Sequence, residues 1–249
     1  MKIKKTVVIG DTHGRTIWKD IVDENPDADK IVFLGDYLDT PNYNDIPNPH
    51  GELDNLNEII RFKRANPDRV VLLIGNHDEH YLEHNVKKGI YTVRFQPDMV
   101  GHFGPLLHTL IDDGFIQVAY FQNEYIFSHA GITNTWMDEN RVTEENINEK
   151  LQTDPDIFSY QFKGLDDDPS GNNIYQSPLW VRMPSLLVDG YNSETHIHII
   201  GHTKVNEIQQ FRHFCGVDAL RIKKYLIIEG DELKMREVGS NETMPINKV

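Results

Sequence analysis

The amino-acid sequence predicts a mixed α/β fold, and three observations carry the prediction. Short apolar runs alternate with segments of helical spacing in the first part of the chain. Each of those runs ends in a glycine followed by Asp or Asn. Further strand-like runs, separated by longer polar stretches, fill the later part.

Residues 3–9 (Ile-Lys-Lys-Thr-Val-Val-Ile) read as a first strand, with Gly10-Asp11 at its C-terminal end. Residues 15–23 carry a short helical pattern through Ile17, Trp18, Ile21 and Val22. Residues 30–34 read as a second apolar strand, again ending in Gly-Asp. The turn formers of residues 40–51 predict an exposed loop. Leu53, Leu56, Ile59, Ile60 and Phe62 then recur at near-helical spacing, and residues 69–74 form a third strand ending at Gly75-Asn76-His77. Such alternation implies a largely parallel sheet, with ligands bound outside the carboxyl ends of its strands. Residues 115–120, 124–128, 195–200 and 225–229 read as later strands. Residues 138–176 read as helical at first and loop-like around 164–173. No repeat or clean linker interrupts the chain, so residues 1–249 are expected to form one domain of two packed halves.

Composition narrows the class. The chain is long enough to bury a sizeable core, and 39% hydrophobic with 26% charged residues predicts a folded, soluble protein. A net charge of −14, from 25 basic and 39 acidic residues, argues against binding bulk nucleic acid or anionic membrane. The single cysteine, Cys215, excludes an intrachain disulfide and a cysteine-rich zinc site. The apolar run after the basic N-terminus is too short for a signal-peptide core, and no stretch is long enough to span a membrane. A cytoplasmic protein is expected.

The chemistry lies in five motifs: Gly-Asp-Thr-His-Gly (10–14), Gly-Asp-Tyr-Leu-Asp (35–39), Gly-Asn-His-Asp (75–78), Ser-His-Ala-Gly (128–131) and Gly-His-Thr (201–203). Most follow an apolar strand directly. Asp11 and His13, two residues apart on an extended segment, can face one cation. Asp36 can lie beside Asp11 and bridge two cations. Asn76, His129 and His202 would complete a second site. A lone Gly-Asp is usually a turn and a lone His is usually packed or solvated. Five such motifs in order, with complementary donors, reverse that balance. Oxygen and nitrogen donors without thiolate suit Mn²⁺ first, with Fe, Zn²⁺, Co²⁺ or Ni²⁺ as alternatives, rather than Mg²⁺ or Ca²⁺. Two such ions stand about 3.5–4 Å apart and share a bridging hydroxide.

With these motifs the chain resembles the calcineurin-like metallophosphoesterase superfamily, and within it the phosphoprotein (serine/threonine) phosphatase branch with its bacterial and phage relatives. The resemblance spans residues 10–203. It implies a four-layer αββα sandwich of two mixed sheets flanked by helices, with the metal site at the C-terminal strand edges. It implies Asp11, His13 and Asp36 on one metal and Asp36, Asn76, His129 and His202 on the other. It also implies His77 as general acid, held by Asp39. Arg182, in Ser-Pro-Leu-Trp-Val-Arg (177–182), is the main cation offered to substrate phosphate, with Asn76 beside it; Arg15 is a weaker one. Two departures stand out. Lys204 occupies the place where many members have a last histidine, which favours the phosphatase branch. Thr40-Pro41 replaces the Arg-Gly that follows the second motif in that branch, so a phosphate-clamping arginine is missing.

The remaining polar clusters read as structural. His80 and His84 are expected on a helix surface. His196 and His198 lie on the strand face opposite Ile197 and Ile199 and are expected to pack or hydrogen-bond. Asp166-Asp167-Asp168 lacks the ligand spacing of a calcium loop and reads as a solvated turn. The expected activity is phosphomonoester hydrolysis on a small molecule, nucleotide or phosphoprotein. The alternative is a phosphodiesterase or a nucleotide pyrophosphohydrolase acting on dinucleoside polyphosphates. A non-catalytic scaffold is disfavoured, because such a chain would be expected to lose ligands or His77.

Overall fold

A computed structural model describes residues 3–41, 49–163 and 170–248. Most of the turn-rich segment 40–51 (residues 42–48) and the Asp166-Asp167-Asp168 run lie outside the described residues. In chain order the first strands and helices are β1 (Lys5–Ile9), α1 (Trp18–Asp23), β2 (Lys30–Phe33), α2 (Pro49–Ala65), β3 (Val70–Leu72), α3 (Asn76–Glu79), α4 (Glu83–Lys88) and α5 (Val100–Asp112). There follow β4 (Ala119–Gln122), β5 (Tyr125–Ser128), α6 (Asn134–Asn140), α7 (Ile147–Thr153), α8 (Met183–Asp189), β6 (Ile197–Lys204), β7 (Gln209–Phe211) and β8 (Phe214–Asp218). The chain closes with β9 (Lys224–Glu229), β10 (Glu232–Glu237), β11 (Thr243–Pro245) and β12 (Asn247–Lys248).

Among the described residues these strands form two six-stranded mixed sheets, ordered β11-β10-β9-β1-β2-β3 and β12-β7-β8-β6-β5-β4. β1, β2 and β3 are parallel, with Val8, Val32 and Val71 in register. Residues just past these strands therefore emerge at one edge. In the second sheet β5, β6 and β8 are likewise parallel.

Alternation along each strand decides the layers. Val8, Val32 and Val71 pack inward with Phe127, Ile199, Cys215 and Val217 of the second sheet. Val7, Ile9, Ile31 and Phe33 point the other way, onto Trp18 and Ile21 of α1 and Leu56, Ile59 and Ile60 of α2. Ile200 and Phe214 pack beneath Leu186 of α8, and Ile126 lies in a cluster with Trp136 and Met137 of α6. The result is the expected helix–sheet–sheet–helix sandwich. No helix among the described residues is long and apolar enough to cross a membrane.

Several boundaries differ from the sequence reading. α2 begins at Pro49, inside the expected loop, and Thr40 is buried rather than exposed. The strand expected over 115–120 begins only at Ala119, because the Asn148 side chain takes the amides of Val118 and Ala119. β7, β8, β10, β11 and β12 went unanticipated. Of these, β10 (Glu-Leu-Lys-Met-Arg-Glu) buries only Leu233 and Met235, and its charged residues mask the alternation.

His198 is buried, as its strand position predicts, with Nε2 2.7 Å from the Tyr191 carbonyl oxygen. Burial pushes its pKa down to about 4. The folded state therefore keeps the ring neutral where an unfolded chain takes a proton, near pH 6.5. Between pH 6.5 and 4 the unfolded state binds more protons, so stability falls as pH falls. His198 contributes at most about 1.4 kcal/mol per pH unit to that slope. Denaturant unfolding across this range should show a shallower pH dependence for His198→Asn than for wild type. Identical slopes would mean that the ring is not held neutral.

Candidate active site

The two parallel edges meet at one cleft of about 1390 Å³. Its lining includes Asp11, His13, Asp36, Asn76, His77 and His202, together with Arg94 and Arg182. Loops stitch the motifs to one another. The His13 amide donates to the Asp36 carbonyl oxygen at 2.7 Å, and the Gly14 amide to that of Tyr37 at 2.8 Å. Asp78 ties the second and third motifs together by accepting from the amides of Tyr37 (2.8 Å) and Gly75 (2.9 Å).

The backbone is held in unusual conformations where it turns inward. His13, Asp36, Asp39 and His202 all have positive φ, at 44°, 52°, 60° and 60°. Non-glycine residues seldom adopt this region, and each instance is strained unless its surroundings over-determine it. Two glycines make room for the carboxylates. A Cβ on Gly75 would stand 2.2 Å from Asp36 Oδ1, and one on Gly201 the same distance from Asp11 Oδ1.

A buried set of acceptors converges beside Asp36. His129 donates from Nδ1 to the Leu34 carbonyl oxygen at 2.8 Å, which leaves a lone pair on Nε2. That Nε2 lies 3.0 Å from Asn76 Oδ1, 3.2 Å from His202 Nδ1 and 3.5 Å from Asp36 Oδ1. His202 Nδ1 is itself 3.0 Å from Asn76 Oδ1. His13 likewise donates from Nδ1 to Leu38, and its Nε2 faces Asp36 Oδ2 at 3.7 Å. Asp11, Asp36 and His129 each offer a ligand atom within 4.8 Å of the others.

Electrostatics point to missing positive charge. Burial lowers the pKa of His202 and His129 and brings His13 to about 3, so these rings present lone pairs rather than protons. Burial, then the charges of Asp218 and Asp36, push Asp11 well above the usual carboxylate range. One proton on His202 Nδ1 cannot serve both Asn76 Oδ1 and His129 Nε2. The donor set fits divalent cations, with His13, Asp11 and Asp36 on one side and Asp36, Asn76, His129 and His202 on the other.

Beside this cluster stands His77, whose amide donates to Asp36 Oδ1 at 2.9 Å. Its Nδ1 lies 2.8 Å from Asp39 Oδ2. Burial alone would raise the Asp39 pKa. Hydrogen bonds from His77 and His80 outweigh it and hold the carboxyl below its usual range. His80 and its neighbours correct the sequence reading. His80 is fully buried, with Nε2 2.8 Å from Asp39 Oδ2, because α3 is a single short turn that directs both histidines at the same carboxylate. His84, half-buried, pairs instead with the buried Glu79 at 2.9 Å. Tyr81 donates to Asp39 Oδ1 at 2.5 Å, and Gln96 to the same oxygen at 3.3 Å. Asp39 thus gathers His77, His80, Tyr81 and Gln96 around one carboxylate.

The chief residue missed in the sequence is Arg94. Its Nη2 donates to His77 Nε2 at 2.8 Å and its Nη1 to the Asp39 carbonyl oxygen at 2.6 Å. It sits in Tyr-Thr-Val-Arg-Phe, which carries no motif, and only the missing arginine after Asp39 hinted that another segment must supply a cation. Where that arginine is absent, the Asp39 and Thr40 amides donate to Glu52 of α2 at 3.0 and 2.6 Å. Arg182 is placed beside the cluster. Its Nη1 donates to the His202 carbonyl oxygen at 3.3 Å and to Thr203 Oγ1 at 3.1 Å. Arg15 donates back to the Thr12 carbonyl oxygen at 3.3 Å.

Comparison with known proteins agrees with this geometry. None of the curated proteins matches the chain in sequence. Among solved structures, a cold-active protein-tyrosine phosphatase of a psychrophile, Shewanella sp., is similar with a TM-score of 0.64 at 18% identity, covering 97% of this chain and 80% of that one. A mutant cold-active protein tyrosine phosphatase is similar with a TM-score of 0.63 at 17% identity, with the same coverage. At such identities the likeness shows the fold alone. The model of the calcineurin-like phosphoesterase family matches residues 4–221, which hold all five motifs. The chain therefore belongs to the calcineurin-like phosphoesterase family and is a metal-dependent phosphoester hydrolase.

Proposed function

We propose that the protein is a dinuclear-metal phosphomonoesterase in which His77 is the general acid and Asp39 its positioning partner. The observation that carries this reading is the His77–Asp39 pair at 2.8 Å, set directly beside the acceptor cluster by the His77 amide bond to Asp36. Divalent cations held by Asp11, His13, Asp36, Asn76, His129 and His202 would activate water as the nucleophile and neutralise phosphoryl charge.

The chain's own residues supply the rest. With Arg94 donating to His77 Nε2, the ring carries its proton on Nδ1, toward Asp39. Acid catalysis needs a proton on Nε2 as well, which Asp39 favours by stabilising the imidazolium. The ester oxygen of the substrate takes the place of the guanidinium at Nε2 and leaves with that proton. The displaced Arg94 and the nearby Arg182 then face the non-bridging phosphate oxygens, where guanidinium geometry permits paired hydrogen bonds. Asn76 contributes through its side-chain amide. Mn²⁺ is the expected metal, because a mixed carboxylate, amide and imidazole set suits it and needs no thiolate.

Assay with a generic aryl phosphate and added Mn²⁺ should give metal-dependent turnover. His77→Asn should cut kcat by about 10²- to 10⁴-fold while bound metal, measured by elemental analysis, stays at the wild-type level. Retained activity would assign the acid elsewhere. Faster hydrolysis of a diester or a dinucleoside polyphosphate would favour the pyrophosphohydrolase alternative. Gly201→Ala should weaken binding of the cation at Asp11, and Gly75→Ala binding of both cations through Asp36, each by about 10- to 100-fold in titration calorimetry. Unchanged affinities would show that the close approach of these carboxylates to the glycines does not orient them.

A further inference from the structure

Two chains of aromatic rings lead from the catalytic cluster to the rim of the cleft. In one, Tyr81 packs on Phe95 at 5.1 Å and Phe95 stacks on Tyr91 at 4.4 Å and 14°. Tyr81 is the residue that donates to Asp39. In the other, Trp180 lies 6.5 Å from the His202 ring, meets Tyr160 edge-on at 5.3 Å, and Tyr160 meets Phe162 edge-on at 5.2 Å.

The outer ends of both chains are bare. Tyr91 is 52% exposed, Phe162 72% and the intervening Val93 fully so. The other large exposed apolar side chains among the described residues, Val188, Phe211 and Met244, do not line this cleft. Scattered exposure of single apolar residues is ordinary, but a cluster at the mouth of a site marks a surface that a ligand covers.

The segment bearing Tyr91 and Val93 is tied to the proton donor. Thr92 Oγ1 lies 3.1 Å from His77 Nδ1 and Arg94 Nη2 2.8 Å from His77 Nε2. His77 addresses the leaving-group oxygen, so the segment that carries Tyr91 and Val93 borders the leaving group. We infer that the substrates are phosphomonoesters of an aromatic alcohol, either a small aryl phosphate or a phosphotyrosyl side chain. Hydrolysis breaks the phosphorus–oxygen bond, with the phenol oxygen leaving with the proton of His77 Nε2 and phosphate carrying the oxygen of water. A seryl or glyceryl leaving group carries no ring to stack on Tyr91 or Phe162. An aromatic ring gains stacked or edge contacts with them.

This inference rests on the phosphomonoesterase reading, and its test separates the two. The measured quantity is the ratio of kcat/KM for a capped phosphotyrosine to that for a capped phosphoserine. Comparing this ratio between proteins removes the greater intrinsic reactivity of aryl esters. In Tyr91→Ala/Phe162→Ala it should fall about tenfold or more, chiefly through KM for the aryl substrate. Val188→Ala, away from the cleft, serves as control. In the Mn²⁺-loaded protein, calorimetry should show phenylphosphonate bound about tenfold more tightly than methylphosphonate, with the difference lost in the double variant. Phenyl phosphate assayed beside a phosphotyrosyl peptide distinguishes a small substrate from a protein one, and preference for either supports an aryl leaving group. An unchanged ratio, equal binding of the two phosphonates by wild type, or mononucleotides preferred over both aryl esters would overturn the inference. If wild type turns over no phosphomonoester, the phosphomonoesterase reading falls. The phosphonate comparison then decides by itself whether the walls select an aromatic ring.

Discussion

The site depends on the placement of one carboxylate, Asp36. Oδ1 accepts the His77 amide and faces His129 Nε2, while Oδ2 faces His13 Nε2. Its backbone sits at positive φ, its neighbour Gly75 has no Cβ to obstruct it, and its carbonyl oxygen binds the first motif loop. Through this residue both sheets and His77 share one geometry. Moving it would displace the candidate metal donors and His77 together.

Why so many acceptors tolerate close burial follows from what they are built to hold. Neutral imidazoles, an amide oxygen and two carboxylates packed within a few ångströms repel one another through their lone pairs. Burial without compensation is costly. Divalent cations bound among these donors would supply that compensation. Positive φ at four inward-turning residues is the local cost of that arrangement, and the hydrogen-bonded loops hold it in place.

The Asp39–His77 pair shows a different kind of economy. Asp39 draws His77, His80, Tyr81 and Gln96, so its carboxylate is fully engaged and the ring of His77 is fixed. Arg94 brings a cation to the Asp39 carbonyl oxygen and His77, although it comes from a segment more than fifty positions later. The segment that brings Arg94 also brings Tyr91 and Val93 to the rim, so charge and apolar surface line the cleft together.

Much of the site was legible in the sequence because strand-end glycines and their Asp, Asn and His neighbours report themselves over a few residues. Apolar runs fixed β1, β2 and β3, and the parallel order carried Asp11, Asp36 and Asn76 to one edge. His198 could be placed on a strand face for the same reason of alternation. What escaped were features set by distant contacts: Arg94, Glu52 beneath the Asp39–Thr40 turn, and the burial of His80 against Asp39. The charged strand β10 escaped as well, since it buries only alternate residues against its neighbours. Sequence by itself determined the family and the donor types, because both are carried by short runs of adjacent residues with fixed chemistry. Tertiary structure alone decided which cation meets His77 and which rings line the rim of the cleft. Those depend on where separate loops come to rest, which local propensity does not specify.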